Sequence, residues 1–268
     1  MWPFKSKPII DVDAVEWQFE CFEWLLKEYG ADIPITSRQL VLPKARFFPT
    51  ENEKGHALAQ RLFDAVKTYA GLSDWPVTLV ADAPTPEYEA GTYAPQPLKY
   101  AAGTFSIRAD GIREISYQPR LLKEPQQLIA TFAHELAHLV IAHATTQAPC
   151  ANDEIEFLTD LTAVYLGFGV FLSNSVFNFK SIHDLGGGGT AWSYSRTGYL
   201  PENDLVHATA IFLKLSGENA YDAVTYLKPG LGRTLRKCLI ELKDKTASLE
   251  ALADNPPPSS YTPDEEIV

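Results

Sequence analysis

Residues 131–140 read TFAHELAHLV and are the most informative stretch of this 268-residue chain. They fall within a longer segment whose apolar residues recur at the three- and four-residue spacing of a helix. Pro125 precedes this pattern, and proline suits the first turn of a helix. The stretch is therefore predicted to be helical, with one apolar face and two histidines, His134 and His138.

The spacing of the two histidines indicates a metal site. On a helix, residues four apart share one face, so the imidazoles of His134 and His138 can bind a single ion. Glu135 can reach a water at an open position of that ion; zinc lowers the pKa of such a water while the carboxylate accepts its proton. The HExxH pattern therefore predicts zinc-dependent hydrolysis with Glu135 as general base. The alternative is an amphipathic helix whose histidines bind no metal.

A third metal ligand is expected in the acidic segment NDEIEFLTD, residues 152–160. Glu156 and Asp160 share a helical face, so Glu156 is predicted to bind the metal. Asp160 is predicted to accept a hydrogen bond from the outer nitrogen of a ligating imidazole. Asp160, Glu154 and Asp153 remain alternative ligands, although Asn152 or Asp153 also suits the helix N-cap. Acidic residues favour a first helical turn for dipole reasons alone, which is the non-functional explanation.

The HELAH motif followed by EFLTD resembles the HExxH plus ExxxD arrangement of gluzincin zinc metallopeptidases. The resemblance covers about 35 residues directly and implies Zn²⁺, a peptide or protein substrate and Glu135 as general base. In that clan an edge strand before the active helix holds the substrate in extended form. HELAHLVIAH is also similar to the HExxHxxxxH of intracellular peptidases that cleave repressors, but helical rotation turns His143 about half a turn from the ligand face. His143 is therefore interpreted as peripheral.

Gluzincins also place a downstream histidine or tyrosine near the oxyanion. The candidates in this chain include Tyr194 and Tyr199, which flank Arg196 in a glycine-rich segment that could close over a cleft. His183 and His207 are the other choices, and no pattern separates the four. The same segment is equally compatible with a connecting loop that carries packed aromatic residues.

The order of patterns predicts an α+β fold in which a small mixed or antiparallel sheet packs on the HExxH helix, followed by a mainly helical C-terminal region. Alternating runs at 104–108 and 112–117 flank Ala-Asp-Gly and predict a hairpin. A metallopeptidase-like α+β domain is expected over 1–180, a helical region packed on it over 181–252, and a disordered, acidic, proline-rich tail over 253–268. Helices are also predicted at 12–29, 53–69, 201–215 and 219–227, with a last one after 229–232 running to about 252.

Composition limits the function classes. The net charge of −11 argues against a nucleic-acid partner, and the absence of an uninterrupted apolar run of about 18 residues argues against a membrane span. No export-signal pattern is found at the start, and three widely spaced cysteines fit no disulfide framework, so a cytoplasmic location is expected. Cys150 is a remote metal or thiol candidate. The main rival to a hydrolase is a catalytically idle, metal-stabilised protein-binding module; a helical scaffold that binds no metal is a third possibility.

Overall fold

The fold is α+β, with a small mixed sheet set among helices. The structure is a computed structural model that describes residues 8–83, 102–175 and 200–253. The strands are β1 (Thr78–Ala81), β2 (Gly103–Ile107) and β3 (Arg113–Tyr117). Helices α1 (Val12–Tyr29) and α2 (Gly55–Ala70) precede the strands, and α3 (Pro125–Ile141) and α4 (Ile155–Ala163) follow them. Four more follow: α5 (Glu202–Ser216), α6 (Ala220–Tyr226), α7 (Pro229–Glu241) and α8 (Thr246–Ala253).

The three described strands form one sheet in the order β1-β3-β2, in which β3 pairs parallel with β1 and antiparallel with β2. The hairpin predicted at 104–108 and 112–117 agrees with β2 and β3 to within a residue. The Gln118 amide donates a hydrogen bond to the Ala102 carbonyl, which identifies the residue pairs of β2 and β3 that exchange backbone hydrogen bonds. Because hydrogen-bonded and non-hydrogen-bonded pairs alternate along an antiparallel ladder, the backbone amides of Gly103, Phe105 and Ile107 point away from β3.

One face of the sheet contacts α3. Tyr117 of β3 packs edge-on against Phe132 of α3, with ring centroids 5.8 Å apart. A Cβ atom at Gly103 would lie 2.8 Å from Cγ2 of Thr131 and 3.2 Å from Cγ of Glu135, so a larger residue would push β2 away from α3. The absence of a side chain at Gly103 thus lets β2 approach the HExxH motif.

The helix that carries Glu156 begins and continues differently from the sequence prediction. Asn152 and Asp153 do not cap it; they lie in a short 3₁₀ turn, and the Glu154 carboxylate accepts a hydrogen bond from the Ala151 amide at 3.1 Å. After α4 the chain forms a π-helical turn over Val164–Phe168 and continues helically to residue 175. Gly167 has φ 101° within this turn, and the helix is kinked there.

One described helix passes the length and composition test for crossing a membrane. It spans Asn152–Ser175, and 83% of its apolar 18-residue window is buried inside the protein.

The C-terminal region is helical, but two details of the prediction are wrong. Pro229 begins α7 instead of interrupting the chain, because its fixed φ and missing N–H suit a first helical position. The single last helix expected to end near 252 is two helices, α7 and α8, joined by a 3₁₀ turn over Leu242–Lys245. The apolar segment at 40–48, which is interrupted by Pro43, contains no regular strand.

Candidate metal centre

Two helices bring the predicted ligands together. His134 and His138 lie one turn apart on α3, and Glu156 lies in the first turn of α4, which follows after a short loop. Each of the three residues offers one ligand atom, and these atoms all lie within 4.8 Å of one another. The three side chains differ in solvent exposure: that of His134 is 3% exposed, that of His138 22% and that of Glu156 42%. It could therefore hold a metal ion at the edge of the core, with one side open to solvent.

The distances from Glu156 to each histidine fit a tetrahedral ion. Oε2 of Glu156 lies 3.2 Å from Nε2 of His134 and 3.5 Å from Nε2 of His138. Two donors that each lie roughly 2.0–2.1 Å from a zinc ion are about 3.4 Å apart at the tetrahedral angle. Both observed distances are close to that value, and two imidazoles with one carboxylate are ordinary zinc ligands.

Asp160 fixes the orientation of His134. Its Oδ1 lies 2.9 Å from Nδ1 of His134, and its Oδ2 accepts a hydrogen bond from the Leu200 amide at 2.7 Å. An ionised carboxylate only accepts, so Nδ1 of His134 carries hydrogen and Nε2 faces Glu156. Asp160 itself is fully buried, which makes the loss of either contact costly.

Two neighbouring carboxylates stabilise the protonated form of His134. Burial alone would lower the pKa of His134, but hydrogen bonds to Asp160 and then Glu156 outweigh burial and raise its pKa to about 10. Hydrogen bonds from His134 and His138 hold the pKa of Glu156 well below its usual range. The proton on Nε2 of His134 thus contacts the Glu156 carboxylate, which is the group that a metal ion bound to Nε2 would also contact.

Thr159 orients His138 in a similar way. Its hydroxyl donates to the Ile155 carbonyl at 2.8 Å, and its Oγ1 lies 3.3 Å from Nδ1 of His138. Because the hydroxyl hydrogen is already used, Oγ1 accepts from Nδ1–H, and Nε2 of His138 is therefore the nitrogen directed towards Glu156 and towards a metal ion.

Glu135 lies on α3 between the two histidines and is 6% exposed. Burial raises the pKa of its carboxyl, and the nearby His134 and His138 oppose that rise. The backbone of Phe105, on β2, also lies close enough to this carboxylate to oppose the rise in its pKa. A raised pKa in a carboxylate beside a metal site is the property expected of a general base.

Comparison with known proteins found no matching family model, no matching curated protein and no matching solved structure. The function is therefore argued from the geometry of this centre.

The other candidate ligands lie outside the cluster. Glu154 bonds the Ala151 amide, and Asp153 belongs to the 3₁₀ turn. His143 donates from Nδ1 to the Leu139 carbonyl at 2.7 Å and contacts the ring of Trp75 at a tilted angle, with ring centroids 4.7 Å apart. His143 is not among the three grouped ligands.

Cys150 is also absent from the grouped ligands. Burial, and then the charge of Glu154, raises the pKa of this thiol, which favours the protonated form over the thiolate that binds metals.

Of the four candidates for the residue near the oxyanion, the structure describes one, His207. Tyr194, Tyr199, Arg196 and His183 lie outside the described residues. His207 is in the core: it is 2% exposed, and its Nδ1 lies 2.8 Å from Oε1 of the buried Gln18.

Two contacts of the centre were missed by sequence reasoning. Thr159 precedes Asp160 and lies three residues after Glu156, so a search for hydroxyls on the ligand face of α4 would have found it. The Leu200 amide is 40 residues from Asp160, and no local pattern indicates that contact.

Proposed function

We propose that this chain is a zinc-dependent peptidase of gluzincin type, in which His134, His138 and Glu156 hold the metal. The observation that carries the proposal is the position of Glu135, a buried carboxylate with a raised pKa between the two histidine ligands. A structural zinc site closes with four protein ligands and has no use for such a group. The described residues group three donors, as in hydrolytic zinc sites.

The reaction divides between the metal and the protein. Bound zinc would supply Lewis acidity towards a water and a peptide carbonyl. Glu135 accepts the proton of the attacking water on its carboxylate and passes it to the leaving amine nitrogen. Asp160 and Thr159 keep Nε2 of both imidazoles directed to the centre, so the ligands need no reorganisation.

Strand β2 is suited to hold a peptide. Within the described residues it is an edge strand, and the N–H and C=O groups of Gly103, Phe105 and Ile107 point away from β3. An extended peptide can add to such an edge through main-chain hydrogen bonds. Because the backbone of Phe105 lies close to the Glu135 carboxylate, a peptide on this edge would lie beside the general base. This placement supports hydrolysis of peptide bonds over hydrolysis of small esters or phosphates.

Glu135→Gln tests the proposal. We expect the variant to keep about one zinc per chain, while cleavage of a degenerate library of end-blocked decapeptides falls by a factor of about 10²–10⁴, because the amide cannot accept the proton. Zinc is measured by elemental analysis and cleavage by mass spectrometry of the products. Glu154→Gln makes the same charge change on a carboxylate that only caps a 3₁₀ turn, and should leave cleavage intact. Unchanged cleavage in Glu135→Gln would remove Glu135 from this role.

A further inference from the structure

Among the residues that the structure describes, Arg113 has no ion-pair partner, and it lies on β3 in the sheet that contacts α3. Across residues 8–83, 102–175 and 200–253 it makes no ion pair and no side-chain hydrogen bond, and its Nε is buried without an acceptor. Its neighbour on the hairpin differs: Arg108 lies 3.4 Å from Asp110 and 3.8 Å from Glu114. The two carboxylates of the hairpin thus go to Arg108. A half-buried guanidinium in a chain of net charge −11 ordinarily finds an anion.

The side chain of Arg113 belongs to the face of the sheet that meets α3. Side chains alternate along a strand, so Arg113 shares a face with Ile115 and Tyr117, both fully buried, and Tyr117 contacts Phe132. At the far end of α3, burial and then the charge of Arg113 lower the pKa of His143. His143 is therefore neutral, and the positive charge at this end of the face is that of Arg113.

The sheet register places Arg113 two residues along the hairpin from the point where β2 meets Glu135. Phe105, whose backbone lies close to the Glu135 carboxylate, pairs with Ile115, and Ile107 pairs with Arg113. Two residues along β2 correspond to about 7 Å. In an extended peptide bound to this edge, the same distance separates successive side chains that point to one face. Ile107, beside Arg113, is 58% exposed and leaves this end of the strand accessible.

We propose that Arg113 binds a carboxylate of the substrate, so that the enzyme selects peptides carrying an anionic group on the Ile107 side of the cleavage site. This inference rests on the proposed function and names its substrate class. A planar guanidinium matches a carboxylate through two parallel hydrogen bonds, which gives geometry as well as affinity. The carboxylate comes either from an acidic side chain or from the C-terminus of a peptide.

The test is affinity selection from a degenerate decapeptide library on immobilised zinc-loaded protein in the Glu135→Gln background, which requires no turnover. One library is end-blocked and the other has a free C-terminal carboxylate; retained peptides are sequenced by mass spectrometry. Arg113→Gln and Arg113→Lys are compared with Arg108→Gln, which makes the same charge change on the other face of the hairpin. Zinc content and thermal unfolding of each variant show that it is folded.

We expect enrichment of Asp and Glu over Asn and Gln at one position, or of free over blocked C-termini, by a factor of about ten or more. Arg113→Gln should abolish the enrichment, Arg113→Lys should keep part of it, and Arg108→Gln should keep all of it. A guanidinium that merely neutralises the C-terminal end of α3 would affect stability without changing selection. Retained peptides without carboxylate enrichment, or equal enrichment in Arg113→Gln, would overturn the inference. Wild-type protein that cleaves neither library would count against the proposed function. The affinity selection would still test whether Arg113 binds a carboxylate, because it requires no cleavage.

Discussion

Asp160 is the residue on which the geometry of the centre depends most. Its carboxylate accepts from both Nδ1 of His134 and the Leu200 amide. In Asp160→Asn the amide nitrogen cannot accept, so one of these donors loses its partner. We expect zinc affinity to fall by a factor of about 10–100, measured by competition with a chromophoric chelator. Glu154→Gln serves as the control on the same segment. Equal zinc affinity in Asp160→Asn and wild type would show that His134 is oriented by other contacts.

Residue spacing predicted the centre well because its ligands obey a short-range rule. His134 and His138 are one helical turn apart, and Glu156 and Asp160 are again one turn apart, so each pair shares a face wherever its helix lies. The partners that depend on tertiary contacts were not predictable in the same way. The Leu200 amide reaches Asp160 only because the chain returns to α4, and Arg113 faces α3 only because of the strand register.

The π-helical turn after α4 depends on Gly167. Its φ of 101° disfavours any side chain, and a Cβ would lie 2.4 Å from the Gln39 carbonyl oxygen. We expect Gly167→Ala to lower the free energy of unfolding by at least about 2 kcal/mol, measured by urea denaturation. Gly230→Ala is the matched control, because a Cβ at Gly230 meets nothing within 4 Å and alanine favours helix. Similar stabilities of the two variants would refute the close approach at Gly167.

Helix and strand positions followed from periodicity, but their ends and pairing did not. The hairpin was predictable because Asp110-Gly111 is a strong turn signal between alternating runs. The parallel pairing of β1 with β3 joins segments separated by more than 30 residues, which no local pattern specifies. The division of the last helix into α7 and α8 was missed because the apolar spacing continues through Leu242.

Packing between the N-terminal and C-terminal helices makes stability depend on pH. Gln18 of α1 donates to the Asp204 carbonyl and lies 2.8 Å from Nδ1 of His207 on α5. Burial, and then the charge of Lys245, lowers the pKa of His207 from 6.5 to about 4. The unfolded chain therefore binds a proton at higher pH than the folded one.

The contribution of His207 should accordingly be complete above pH 6.5 and lost as the pH falls towards 4, by about 3 kcal/mol in total. We expect the free energy of unfolding of His207→Gln to vary less over this window than that of wild type, by about that amount. Chemical denaturation at several pH values between 7 and 4 measures the difference. Parallel curves would mean that the pKa of His207 is the same in the folded and unfolded protein.

The proposed function requires that this chain binds one metal ion through α3 and α4. The most direct measurement is the zinc content of wild type and His134→Ala after zinc loading and removal of weakly bound metal. We expect close to one zinc per wild-type chain and a large loss in the variant, because His134 is the most buried of the three proposed ligands. Wild-type protein without bound zinc, or equal zinc in both proteins, would contradict it.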